Sequence, residues 1–196
     1  MTTTRRTALG RPSATTHAEI ERVAFALFEE RGFDATPLEL IAAEVGVGRR
    51  TLFRYYPSKN DIPWGLFDRT VEDFAALLDA APLDAPLWET VHHGVVAFND
   101  FPRDADPPHE QRMRLILRTP ALQAHSVLRY RQWREVIAAY VARRTGASPS
   151  DLQPRTVGHV SLALSLAAYD RWLDDPSASL PGLVDEAMQG LRAHLD

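Results

Sequence analysis

Residues 36–66, TPLELIAAEVGVGRRTLFRYYPSKNDIPWGL, constrain this chain more than any other stretch. Two short helical patterns meet at a tight turn, Val45-Gly46-Val47. The first pattern has a strong start signal. Thr36 stands at the N-cap, Pro37 at the first helical position and Glu39 at the third, which predicts a capping box on a preset first turn. Leu38, Ile41, Ala42 and Val45 then share one face. After the turn, Leu52 and Phe53 are expected to face inward, and Arg49, Arg50, Thr51, Arg54 and Tyr55 outward. Three guanidiniums on one short helix suit it to lie in a DNA major groove and reach base edges. A basic helix face is often only solvated, so spacing alone leaves DNA binding open. Two flanking features favour it. Arg5, Arg6 and Arg11 precede the first helix. Lys59, the single lysine among 22 basic residues, opens the next helix, where unpaired backbone N–H groups already favour a phosphate.

The net charge of −4 argues against nucleic acid until its distribution is read. Residues 1–60 hold nine Arg/Lys and seven Asp/Glu, whereas residues 61–196 hold thirteen and nineteen. The basic excess therefore coincides with the two-helix pattern. A hydrophobic content of 45% supports a real core. No apolar run approaches membrane-span length, and MTTTRRTALGRPSATT lacks the apolar core of a signal peptide. The absence of cysteine excludes disulfides and thiolate metal sites and fits a cytoplasmic protein.

The periodicity predicts an all-α chain of about nine helices. Residues 1–14 read as a flexible basic arm, residues 15–62 as a helix-turn-helix domain and residues 63–196 as a larger helical domain. Thr16 and Glu19 form a capping box for a first helix lined by Ile20, Val23, Ala24, Leu27 and Phe28. Gly32 closes it, with Phe33 packing back. A fourth helix is expected over residues 58–79, with Pro63 in its first turns. Further helices are expected over residues 87–99, 109–118, 121–145, 150–174 and 180–195.

Residues 17–66 resemble the DNA-binding domain of TetR-family transcriptional regulators. The residues carrying the likeness are Phe28, Gly32, Phe33, Thr36, Ile41-Ala42, Gly46-Val47, Thr51-Leu52-Phe53, Tyr55-Tyr56 and Ser58-Lys59. Within that family, VGRRTLFRYYPSKNDIPWG is similar to the subgroup encoded with the mycofactocin system. Three positions depart from the pattern. Gly48 stands where a serine commonly caps the recognition helix, Arg50 replaces a small residue, and Phe53 replaces a common tyrosine whose hydroxyl can bond a phosphate. The resemblance implies operator contacts from Arg49, Arg50, Thr51, Arg54, Tyr55 and Lys59, with Arg5 and Arg6 on the arm.

The C-terminal part shows no catalytic set. His92 and His93 are adjacent, roughly 100° apart on a helix, and make a poor metal pair. No metal site and no cofactor are expected. Gly158, Ser161, Leu162, Ser165, Ala168 and Tyr169 place small residues along one helix side, and Leu183, Val184, Ala187, Met188, Leu191 and Leu195 line the last helix. These are either monomer core or, as the resemblance implies, the four-helix interface of a homodimer. The middle helices are rich in bulky groups: Trp88, Phe98, Met113, Leu117, Tyr130, Trp133 and Tyr169. Ordinary core packing explains any one of them. The resemblance implies an effector pocket lined by the first six with Arg112 at its mouth, beside Arg114 and Arg118. Such a lining suits an apolar or amphipathic effector, an acyl-coenzyme A among others. The expected function is a dimeric, effector-responsive repressor of operator DNA. An activator, an architectural DNA binder without effector, and an enzyme on a helical scaffold are the alternatives.

Overall fold

The structure is a computed structural model that describes residues 15–195. The expected basic arm, with Arg5, Arg6 and Arg11, lies outside the described residues. The chain divides into two compact units, one ending at Gly65 and one beginning at Leu66. Helices α1 (His17–Arg31), α2 (Leu38–Val45) and α3 (Arg49–Tyr55) and a short 3-10 helix (Lys59–Trp64) belong to the first. Helices α4 (Phe67–Asp79), α5 (Leu87–Phe98), α6 (His109–Arg118), α7 (Pro120–Thr145), α8 (Leu152–Asp174) and α9 (Leu180–Leu195) belong to the second. No strand occurs among the described residues.

In the N-terminal unit the Thr16 hydroxyl accepts from the Glu19 N–H at 3.1 Å, as a capping residue should. The Glu19 carboxylate accepts from the Thr15 hydroxyl at 3.1 Å. Ile20, Ala24, Phe28, Ile41, Leu52, Tyr56 and Ile62 form the core. Phe33 returns onto Phe28, with ring centres 4.9 Å apart. Thr36 does not cap α2 as expected; Pro37 holds that position. The buried Thr36 hydroxyl instead donates to the carbonyls of Gly32 (2.8 Å) and Leu27 (3.3 Å). It satisfies carbonyls at the C-terminus of α1, so a residue read as a start signal acts as a stop. The turn after α2 runs through Gly46 in left-handed conformation, with φ 77°.

The single helix expected over residues 58–79 is broken in two. Asp61 accepts from both the N–H (3.0 Å) and the hydroxyl (2.7 Å) of Ser58, which closes a tight 3-10 turn containing Pro63. Gly65 then adopts φ 55°, ψ −131°, a conformation open to glycine, and α4 starts afresh at Phe67. The periodic apolar residues run across this break, which is why the pattern concealed it.

In the C-terminal unit α7 packs along α8, α8 against α9, α4 against α7, and α5 against α4 and α9. The small-residue side of α8 faces inward. Ser161, Ser165, Ala168 and Tyr169 are buried within the monomer. A side chain at Gly158 would meet the Arg134 backbone oxygen of α7 at 2.8 Å. Glycine therefore permits the close approach of α7 and α8, and these residues form core. On α9, Leu180, Val184 and Met188 are likewise buried, while Leu183, Ala187 and Leu191 are only half-buried.

Candidate nucleic-acid interface and effector region

Helix α3 buries Leu52 against its unit and turns Arg49, Arg50, Phe53 and Arg54 outward. Phe53 was expected inside with Leu52. The structure leaves its ring 38% exposed, while Leu52 and Tyr56 are the buried residues of this segment. The Arg49 guanidinium sits 5.3 Å above that ring and pairs with Glu39 of α2 at 3.0 Å. Arg50 and Arg54 project freely from the same side. Thr51 is half-buried beside them.

The remaining expected contact residues are engaged within the unit. The Tyr55 hydroxyl donates to the Thr15 carbonyl at 2.6 Å, and its ring meets the His17 ring edge-on at 4.9 Å. The neighbouring Tyr56 hydroxyl donates to the buried Glu21 carboxylate at 2.7 Å. This tyrosine pair bolts α3 to the start of α1. The Lys59 ammonium donates to the Phe33 carbonyl at 2.7 Å and lies 4.3 Å from the centre of its ring. Partial burial lowers its pKa, an effect that Asp34 partly offsets. An ammonium has three donors, so this bond leaves capacity for an external anion.

In the C-terminal unit the expected lining residues separate into groups. Phe98 and Trp133 meet around Phe74, with Trp133 stacked on Phe74 at 5.5 Å and edge-on to Phe98 at 5.7 Å. The buried Trp133 Nε1 has no hydrogen-bond partner among the described residues. Trp88 stands apart, 5.7 Å from the His92 ring, whose Nε2 lies 2.8 Å from Asp185 of α9. Met113 is buried, and Leu117 and Arg112 are half-buried on α6. Arg114, expected at the mouth, donates to Glu110 (2.6 Å) and to the Leu173 carbonyl (3.1 Å), which ties α6 to the end of α8. Arg118 is exposed.

A second aromatic cluster was only partly visible in the sequence. The His109 Nε2 and the Tyr169 hydroxyl lie 2.9 Å apart, with Phe101 stacked on the imidazole at 3.7 Å and Trp172 beside it. Burial raises the pKa of Tyr169, and it pushes Tyr130 up to about 12, so both phenols stay neutral. Burial, with Arg112 adding to it, holds His109 down to about 3. His109 opens α6 after two prolines, where no periodic pattern flags it.

This neutral imidazole has a consequence for stability. An unfolded histidine takes up its proton near pH 6.5, whereas the native one does so only near 3. Its contribution is complete above about pH 6.5 and falls as the pH drops from there towards about 3. His109→Gln is expected to lose less stability than the wild type between about pH 7 and about pH 5, read as urea midpoints. Equal losses in the two proteins would contradict the buried neutral state.

An open groove of about 570 Å³ runs between α4 and α7. Val71, Leu78 and Val136 form its apolar floor, and Glu72 and Glu135 stand on its rim. The Asp68–Arg129 pair (2.7 Å) and the Asp79–Arg143 pair join the two helices. None of the expected ligand-lining residues borders this groove. Among the described residues no cluster of His, Asp and Glu could hold a metal ion, and no helix is long and apolar enough to cross a membrane.

Comparison with known proteins gives this arrangement its context. Residues 20–62 match the bacterial regulatory proteins of the tetR family, and residues 85–196 match the MftR C-terminal domain. The chain is 43% identical over 188 residues to the candidate mycofactocin biosynthesis transcriptional regulator MftR of Mycobacterium tuberculosis, covering 96% of this chain and 95% of that protein. It is 27% identical to the HTH-type transcriptional regulator TcmR of Streptomyces glaucescens, covering 92% and 84%. Among solved structures, the fold resembles the fatty acid degradation regulator FadR of Bacillus halodurans (TM-score 0.63, 18% identity, 89% of this chain and 96% of that one). It also resembles the TetR-family repressor FadR of Thermus thermophilus, solved with lauroyl-CoA (TM-score 0.56, 20% identity, 89% and 92%). These relatives are regulators of transcription rather than enzymes. A specific helix-turn-helix match, an MftR-type C-terminal match and near full-length identity agree, and the chain belongs to the TetR family of DNA-binding transcriptional regulators.

Proposed function

We propose that this regulator is a homodimeric repressor that leaves its operator when a small amphipathic effector enters the C-terminal unit. The observation that carries the reading is the outward face of α3, where Arg50 and Arg54 stand free and Arg49 is held by Glu39. In this reading residues 15–62 bind DNA and residues 63–196 dimerise and hold the effector. Arg49, Arg50 and Thr51 approach base edges, while Arg54, Tyr55 and Lys59 support backbone contact. Tyr55 does so by fixing α3 to α1, since its hydroxyl proton is already used. The arm residues Arg5 and Arg6 add phosphate attraction.

Lys59→Ala is expected to weaken binding to all duplexes alike and to lower the salt slope by about one unit. Arg50→Ala is expected to relax one base position by about 1–3 kcal/mol through loss of a bidentate guanine contact. Anisotropy titrations at several salt concentrations separate the two. Wild-type binding that ignores salt would overturn the assignment.

For the effector, Phe98 and Trp133 offer an apolar cluster with Phe74; Met113, Leu117 and the cationic Arg112 are candidates from α6, and Tyr130 is a candidate from α7. Trp88 sits on His92 instead and is the weakest member. The Trp133 N–H lacks an acceptor among the described residues, and a polar group on a bound effector would supply one. A long-chain acyl-coenzyme A fits this mix, and the lauroyl-CoA complex of the Thermus thermophilus protein supports trying it first. Linkage requires that such a ligand bind free protein more tightly than the DNA complex. Lauroyl-CoA added to a preformed complex is expected to release the duplex. Binding that leaves DNA affinity unchanged would refute the effector role of that compound.

A further inference from the structure

An apolar ring stands on the charged face of α3. Phe53 is flanked on that face by Arg49, Arg50 and Arg54, and its ring is 38% exposed. It follows Arg49 by four positions and Arg50 by three, so all three lie on one stripe of the helix. Glu39 and the Phe53 ring hold Arg49 between them, at 3.0 Å and 5.3 Å. Whatever surface Arg50 and Arg54 meet, this ring meets as well. A phenyl ring cannot hydrogen-bond a phosphate or a sugar. In the major groove the base edges present donors, acceptors and one apolar group, the C5-methyl of thymine.

We propose that Phe53 is a base-reading residue whose ring packs on the C5-methyl of one thymine in each operator half-site. The inference rests on α3 being the helix that enters the groove. It gives the helix two modes of readout: guanidiniums for guanine edges and an aromatic ring for thymine. The Glu39–Arg49 pair then fixes the ring, because the cation packs on it from the side that faces α2.

The test uses a duplex selected by the full-length protein from a random-sequence pool. Each thymine of one half-site is replaced in turn by deoxyuridine, which removes the methyl group alone. At one position the replacement is expected to weaken wild-type binding about fourfold, the effect of burying one methyl group. Phe53→Ala is expected to bind the thymine and deoxyuridine duplexes equally, and Phe53→Leu to recover part of the discrimination. Should the ring serve only to prop Arg49, Phe53→Ala would lose affinity while the thymine preference persisted, which overturns the proposal. No methyl-sensitive position in the wild type also overturns it. Failure to select any sequence would instead strike the assignment of α3 itself.

Discussion

Leu166→Asp is expected to separate the dimer and to lower operator affinity by about 100-fold or more, because one half-site contact is lost. Both α8 and α9 spend part of their surface inside the monomer. Ser161, Ser165 and Ala168 of α8 and Val184 and Met188 of α9 are buried there. Leu166 and Leu191 remain half-buried, with Ala163 and Ala167 exposed along the outer side of α8. In the proposed dimer a second copy would pack on that side rather than on the small-residue side. A carboxylate buried there without a partner is costly enough to prevent pairing. Sedimentation at micromolar concentration reads the result against the 21.9 kDa chain mass. Leu191→Asp is the companion variant on α9. If the dimer is obligate, both variants unfold together with dissociation, and stability becomes concentration-dependent in the wild type. A folded wild-type monomer, or a Leu166→Asp protein that still sediments as a dimer, would rule out this interface.

Trp133→Ala is expected to cost about 3–5 kcal/mol of stability, the range for truncating a buried aromatic. The ring is 3% exposed and joins Phe74 of α4 to Phe98 of α5. Trp133→Phe should behave differently. It retains aromatic packing and removes an N–H that has no acceptor among the described residues, so the two effects offset and the net stability change is small. If that N–H serves a bound effector, Trp133→Phe keeps its fold and its DNA affinity but loses sensitivity to the ligand. Thermal melts with and without lauroyl-CoA compare the variants. A Trp133→Phe protein with undiminished ligand response would assign the N–H no part in binding.

The DNA-binding unit was legible because many of its signals are local. Gly32, the Gly46 turn and the Leu52 seam follow from short-range chemistry. Errors arose where a local signal had a tertiary competitor. Thr36 looks like a helix cap, yet the carbonyls of Leu27 and Gly32 claim its hydroxyl. Phe53 looks like core, yet Leu52 and Tyr56 are buried there and Phe53 is not. The apolar stripe across residues 58–79 masked the positive-φ break at Gly65, since periodicity records side chains and not φ. In the C-terminal unit, small residues on α8 signalled close packing but not the identity of the neighbour. The approach of Arg134 to Gly158 identifies it as α7. The His109–Tyr169 contact joins residues 60 positions apart, a separation that no sequence pattern spans.

Selection of duplexes from a random pool by the full-length protein reads operator recognition by α3 with no sequence assumed. The expected result is enrichment of an inverted repeat whose half-sites lie about one helical turn, or a multiple of it, apart. Arg50→Ala is predicted to enrich the same repeat with one position relaxed. A protein that enriches no sequence, or one that enriches a repeat indifferent to Arg50 and Arg54, would rule out sequence reading by α3.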